Sequence, residues 1–178
     1  MIVQRLDRTP WLLEDLQDLR DHARVDPNGY DDVALRRMFV AAVLEAEEHG
    51  QLALFPQTVR VTLDAWPRGH TFRLPIGPLL DWDSVSTTAD GQPFEDFNTM
   101  TGQWPVLRLT GARPCGQVVI EYASGCEYQS HKIPTDLAHA LMDQALAYYD
   151  ARGPGDPKAQ ALSPHFARIV GRYRGVRI

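Results

Sequence analysis

The chain has 178 residues, 44% of them hydrophobic and 23% charged, with a formal net charge of -5. This composition excludes a disordered chain, and its apolar runs fall far short of the roughly 18–20 residues that span a bilayer. Cys115 and Cys126 are the only cysteines, too few for a disulfide framework or a four-thiolate zinc site within one chain. The N-terminus MIVQRLDRTP lacks the basic-then-apolar pattern of a signal peptide, so a protein neither secreted by that route nor held in a membrane is expected.

Thr9-Pro10, a cap residue followed by a proline suited to the first turn, opens a first helix with Leu12, Leu16, Leu19 and Ala23 on one face. Glu14, Asp15 and Asp18 occupy its early turns, where acids complement the positive helix end more often than they bind a cation. Asp26-Pro27-Asn28-Gly29 is a turn. Asp31 then caps a second helix over 32–49, with Leu35, Met38, Phe39, Ala42 and Ala46 inward and Arg36, Arg37, Glu45 and Glu48 outward. Two helices joined so closely should pack antiparallel.

After Pro56 the hydrophobic period changes from helical to alternating, and strands are expected at 58–63, 71–74, 84–88, 92–97, 106–110 and 117–122. Asp90-Gly91 suits a type I′ hairpin turn. No helix pattern separates the strands, so they should form a small antiparallel sheet. The proline-rich run 74–79 should cross the surface or lie on an edge.

The clearest helix lies within 133–153, begun by Pro134, Thr135 and Asp136 and ended by Arg152, Gly153 and Pro154. Leu137, Leu141, Ala145 and Tyr148 form an apolar row, while Asp136, His139, Asp143 and Asp150 share the opposite face. A Gly/Pro/Asp linker follows over 153–157. Ser163-Pro164 opens a last short helix whose Phe166, Ile169, Val170 and Tyr173 share a face. Gly171 weakens it by about 1 kcal/mol, so it must dock on something.

No H-E-x-x-H, C-x-x-C, phosphate-binding loop, nucleophile elbow or dinucleotide-binding glycine set occurs. Asp81 and Asp83 on one face of a strand could share a metal or act as acid and base, and His131 could serve as a base. A polar face explains the two aspartates equally well, and no nucleophile neighbours His131. Cys126 lacks an orienting partner, and Asp136, His139 and Asp143 look like any solvated helical face. No catalytic, metal or cofactor residue is therefore assigned. The feature with functional character is the basic end: Arg152, Lys158, Arg168, Arg172, Arg174 and Arg177 face only Asp156. On an acidic body such a segment suits a partner protein better than DNA, with a segment folded back on its own body as the structural alternative.

In their order, HARVDPNGYDDVALRRMFVAA, PQTVRVTLDAWP, LPIGPL, ADG, GQVVIEYASG, IPTDLAHALMDQALAYYDARG and the terminal YRGVRI resemble the head-tail connector, or adaptor, proteins of tailed bacteriophages and gene transfer agents. The resemblance covers nearly the whole chain, with Gln51 standing where a glycine is expected after the second helix. It implies an α+β fold: an antiparallel helical bundle (two N-terminal helices and the long helix of the C-terminal half) carrying an inserted antiparallel β module, with a C-terminal amphipathic helix and tail. The boundaries expected are 1–57 for the N-terminal helices, 58–124 for the β module, 125–153 for a loop and the central helix, and 154–178 for linker, docking helix and tail.

The implied function is structural and non-enzymatic, without a cofactor. About twelve copies would form a ring between the portal and a tail-side stopper or tail terminator protein, as closed rings of identical subunits do. Duplex DNA would pass through its lumen without sequence-specific binding, since an acidic wall repels phosphate. Such a subunit belongs to the virion and is assembled in the bacterial cytoplasm. Docking to the portal would fall to 163–178, with Phe166, Ile169, Val170 and Tyr173 as apolar anchors and Arg168, Arg172, Arg174 and Arg177 as charge partners. The alternative is a neck or tail-completion subunit; a small hydrolase or a DNA-binding regulator carries less of the pattern.

Overall fold

The computed structural model describes residues 1–10, 17–24, 31–100, 102, 104–126, 133–151 and 161–174, and the fold is α+β. Two compact units share the chain, one from Met1–Thr9 with Gln51–Lys132 and the other from Pro10–Gly50 with Ile133–Ile178. The first is built of strands. Ile2–Leu6 forms β1, an element absent from the sequence expectation, and pairs antiparallel with β2, Gln57–Leu63. Residues 1–9 and 51–57, expected with the helices, therefore belong to the β unit: the extended IVQRL segment finds an open strand edge to pair with, and the segment leading into β2 is tied to the β unit where the Ala53 N–H donates to the Gly77 carbonyl at 2.8 Å.

The other strands are β3 (Thr71–Arg73), β4 (Ser86–Ala89), β5 (Gln92–Pro93), β6 (Phe97–Met100), β7 (Val106–Leu109) and β8 (Val118–Ser124). They make two antiparallel sheets, ordered β1-β2-β8-β4-β5 and β3-β7-β6. The run 92–97, expected as one strand, is split: β5 closes the hairpin with β4, and β6 joins the other sheet. Asp90 and Gly91 both have positive φ, 48° and 77°, as a type I′ turn requires.

Alternation decides the core. Val59, Val61 and Leu63 of β2 and Val118, Ile120 and Tyr122 of β8 are buried, and with Leu107 and Leu109 of β7 they belong to one apolar cluster. The run 74–79, expected at the surface or on an edge, contributes buried Leu74, Ile76 and Leu79 to that cluster. Its prolines alternate with inward side chains, and its backbone polar groups are met from inside. The Tyr122 hydroxyl donates to the Ile76 carbonyl at 3.0 Å and accepts from the Ile76 N–H at 3.3 Å. Burial pushes the Tyr122 hydroxyl well above its ordinary pKa.

The second unit is helical: α1 (Gln17–Ala23), α2 (Asp32–Gly50), α3 (Thr135–Asp150) and α4 (Pro164–Arg172). Thr9 and Pro10, expected to open the first helix, lie in no helix, and the Thr9 N–H donates to the Pro56 carbonyl at 3.0 Å; residues 11–16 and the turn at 26–29 lie outside the described residues. Leu35, Phe39, Ala42 and Ala46 of α2 are buried as their spacing requires, joined by Val43 and by Glu47. Arg20 of α1 grips Asp32 at the start of α2 with two hydrogen bonds, and the guanidinium holds that carboxyl below its usual pKa. Gln51 takes the left-handed conformation after α2, φ 52°, the position where glycine was expected.

Removing the Tyr122 hydroxyl leaves a buried N–H and C=O of Ile76 without their side-chain partner. Tyr122→Phe is expected to lower unfolding free energy by about 1–3 kcal/mol in urea titration, with an unchanged slope. A loss below about 0.5 kcal/mol would contradict the role given to this bond.

Candidate partner-docking surface

The C-terminal helix is built as its sequence dictates. Ser163 caps α4, its hydroxyl accepting the Phe166 N–H at 3.1 Å, and Pro164 occupies the first turn. Phe166, Ile169 and Val170 are all buried, and α4 packs against α2 and α3. The apolar residues expected to anchor a portal are thus occupied within their own chain, because α2 and α3 present an apolar surface to a helix too short to persist alone.

Two polar contacts on α3 fix α4 at both ends. Gln144, fully buried, accepts the Ser163 N–H at 2.9 Å and donates to the Ala161 carbonyl at 3.3 Å. At the other end of both helices, Asp136 accepts from the Tyr173 hydroxyl at 2.5 Å and from Arg172 at 3.2 Å. Because late α3 meets early α4 and early α3 meets late α4, the two run antiparallel. Asp136, expected on the wet face and partly exposed there, also clasps the end of the chain's last described helix. The Tyr173 hydrogen bond, ahead of the Arg172 charge, holds the Asp136 carboxyl below its usual pKa. Desolvation, and then the same carboxylate, push Tyr173 up to about 12.

Of the expected docking residues, Arg168, Arg172 and Arg174 are exposed, Tyr173 is half-buried, and Arg177 lies outside the described residues. Arg172 faces Asp136, and Arg168 contacts His165 at 3.4 Å. The outer face of α4 is therefore basic and the inner face apolar.

The other sequence candidates are dispersed. Asp81 and Asp83 do not lie on a strand: Asp81 caps the 3-10 turn Trp82–Ser84 and accepts the Asp83 N–H at 3.0 Å. Cys126 is buried, its N–H donating to Leu54, and His131, Glu14 and Asp15 lie outside the described residues. His139 does come near another histidine, which spacing could not reveal. Its ring lies 6.1 Å from that of His22, which contacts Asp143 at 2.8 Å beside an open cleft of about 400 Å³ lined also by Asp18, Asp21 and Met142. Among the described residues, no group of three or more histidine, cysteine, aspartate or glutamate side chains is placed to hold a metal ion.

No family model and no curated protein matches the chain. Solved structures do. A chain in the neck of an empty gene transfer agent particle, computed with C6 symmetry, is 26% identical with a TM-score of 0.77, over 100% of this chain and 97% of that one. The chain shares its fold with a component of the gene transfer agent neck. A chain in the virion of the native gene transfer agent particle matches over the same shares at 25% identity and TM-score 0.77. Another, in the neck of the native particle computed with C12 symmetry, shares the fold at 24% identity and TM-score 0.74. The sequence resemblance to head-tail connector proteins is borne out by this likeness.

The clasp at Asp136 titrates in two directions. A depressed carboxyl pKa contributes stability that is present above the unfolded value of 3.8 and lost as acid protonates Asp136 below it. A raised phenol pKa contributes stability present below 10.0 and lost as pH rises towards about 12. Tyr173→Phe should therefore flatten the alkaline fall of the urea midpoint over that upper window and lower the midpoint at pH 7. Identical profiles for the two proteins would show that the contact does not hold α4.

Proposed function

We propose that this chain is a structural head-tail connector, an adaptor subunit of the neck of a gene transfer agent or phage particle. The observation that carries the reading is the likeness to a neck chain over 100% of this chain and 97% of that one. Copies of the chain form a ring, with the helices as an antiparallel bundle, between the portal on one side and a tail-side stopper or terminator on the other. The DNA duplex passes through the ring, and the net charge of -5 suits a wall that does not hold phosphate. The subunit is a component of the virion, assembled in the bacterial cytoplasm, and acts without catalysis.

The exposed arginines of the C-terminal segment, Arg168 and Arg174 with Arg177 beyond, meet the portal. Phe166, Ile169 and Val170 hold the helix that presents them, a different role from that of direct anchors. Individually weak contacts, repeated around a ring, combine by avidity. A neck or tail-completion subunit that meets the tail tube is the second reading, favoured by the burial of those three apolar residues, which removes them from any portal contact while α4 stays docked.

Light-scattering mass of the chain mixed with its portal tests the proposal, using the intact chain and Arg168→Glu/Arg174→Glu, which leaves the inner face of α4 untouched. The intact chain is expected to join the portal and the double variant to lose at least about tenfold in affinity, since reversed charges turn attraction into repulsion. Equal binding by both would contradict the arginine contact. No binding by either, with crosslinks to the tail tube in particles, would favour the second reading.

A further inference from the structure

Two strands end their sheets with an outer edge that no described strand covers: β1 in the five-stranded sheet and β6 in the three-stranded one. Natural edge strands are usually blunted by charge, proline or shortness. The opposite edges follow that rule, since β5 is two residues long and contains Pro93, and β3 is three residues long and ends in Arg73. Neither β1 nor β6 does. Strand β6, FNTM, has no charge, and the one charge in β1, Arg5, is turned to the Leu52 carbonyl at 3.0 Å and Gln57 at 3.3 Å. Each edge also carries a large exposed apolar side chain, Ile2 at 61% and Met100 at 51% of full exposure.

We propose that β1 of one copy pairs antiparallel with β6 of the next, so that neighbouring subunits of the ring share a continuous intermolecular sheet. This rests on the ring reading above. A ring with more than two copies needs a heterologous interface, in which one patch meets a different patch. Pairing β1 with β1 would be two-fold and stop at a dimer. The two unprotected edges are different strands, as closure requires.

Their side chains also agree in register. Ile2 and Gln4 share a face with Thr62 and Arg60, and Asn98 and Met100 share a face with Arg108 and Val106; both are outer faces. Val3 and Arg5 lie with Val61 and Val59, and Phe97 and Thr99 with Leu109 and Leu107, on inner faces. Setting Ile2 opposite Met100 places Val3 opposite Thr99, Gln4 opposite Asn98 and Arg5 opposite Phe97. On the outer face apolar Ile2 meets apolar Met100 and the Gln4 amide meets the Asn98 amide, and on the inner face Val3 meets Thr99 and Arg5 meets Phe97, so outer face joins outer face and inner joins inner; cross-strand pairs are what stabilise a sheet. A slip by one residue would set inner against outer side chains.

The test is an intersubunit disulfide in assembled particles carrying Ile2→Cys and Met100→Cys together with Cys115→Ser, which removes the exposed native thiol. Directly opposed strand residues lie close enough for the bond. Oxidation should give a ladder of oligomers on a non-reducing gel, and either cysteine alone should give none. A chain that assembles into particles without the ladder overturns the strand pairing and leaves the connector reading standing. A wild-type chain missing from particles overturns the connector reading and the pairing with it. Should the cysteine pair itself block assembly, Ile2→Glu decides. It is expected to lose ring formation with its thermal midpoint unchanged, whereas rings like those of the wild type would overturn the pairing.

Discussion

Helix α3 has to hold α2 and α4 at once, and the helical unit follows from how it does so. Its apolar stripe of Leu137, Ala140, Leu141 and Ala145 is fully covered, with α2 and α4 both packed on α3. Apolar contact alone would let a nine-residue helix such as α4 slide or fray. Gln144 and Asp136 prevent this by bonding its two ends, one from a buried amide and one from a partly exposed carboxylate. Position along the helix thus comes from polar contacts and adhesion from apolar ones. The result is a basic outer face presented in a defined place.

Much of this is legible in the sequence because helix ends carry local chemistry. Ser163-Pro164 marks the start of α4 through its own hydroxyl and ring, and the spacing of Phe166, Ile169 and Val170 gives the buried face. What covers that face is not local. The same apolar row fits a portal groove or the chain's own helices, and the structure shows the second. Asp136 and Gln144 look like solvated residues in isolation, since their partners Tyr173 and Ser163 are 37 and 19 residues away.

The β unit was less readable for a related reason. Alternation identifies β2 and β8, each of which buries one face completely, but it does not say which sheet a strand joins. Residues 92–97 therefore read as one strand where the chain changes sheets, and IVQRL at the N-terminus is too short to announce a strand without β2 beside it. The run 74–79 misleads because its prolines suggest an edge, whereas the Tyr122 hydroxyl supplies hydrogen bonds that let Ile76 stay inside. Asp81 and Asp83 fail as a pair because one caps the backbone of the other.

The connector reading joins these parts into one physical picture. A neck subunit has to adhere to identical neighbours and to different proteins above and below, and the two requirements call for different surfaces. Unblunted strand edges suit identical neighbours, and a charged helical face suits a partner of another kind. Electron microscopy of particles from producing cells that lack this chain tests the connector role most directly. Filled heads and separate tails are expected, rejoined when the chain is supplied in trans. Tailed particles at the normal frequency without the chain would contradict it.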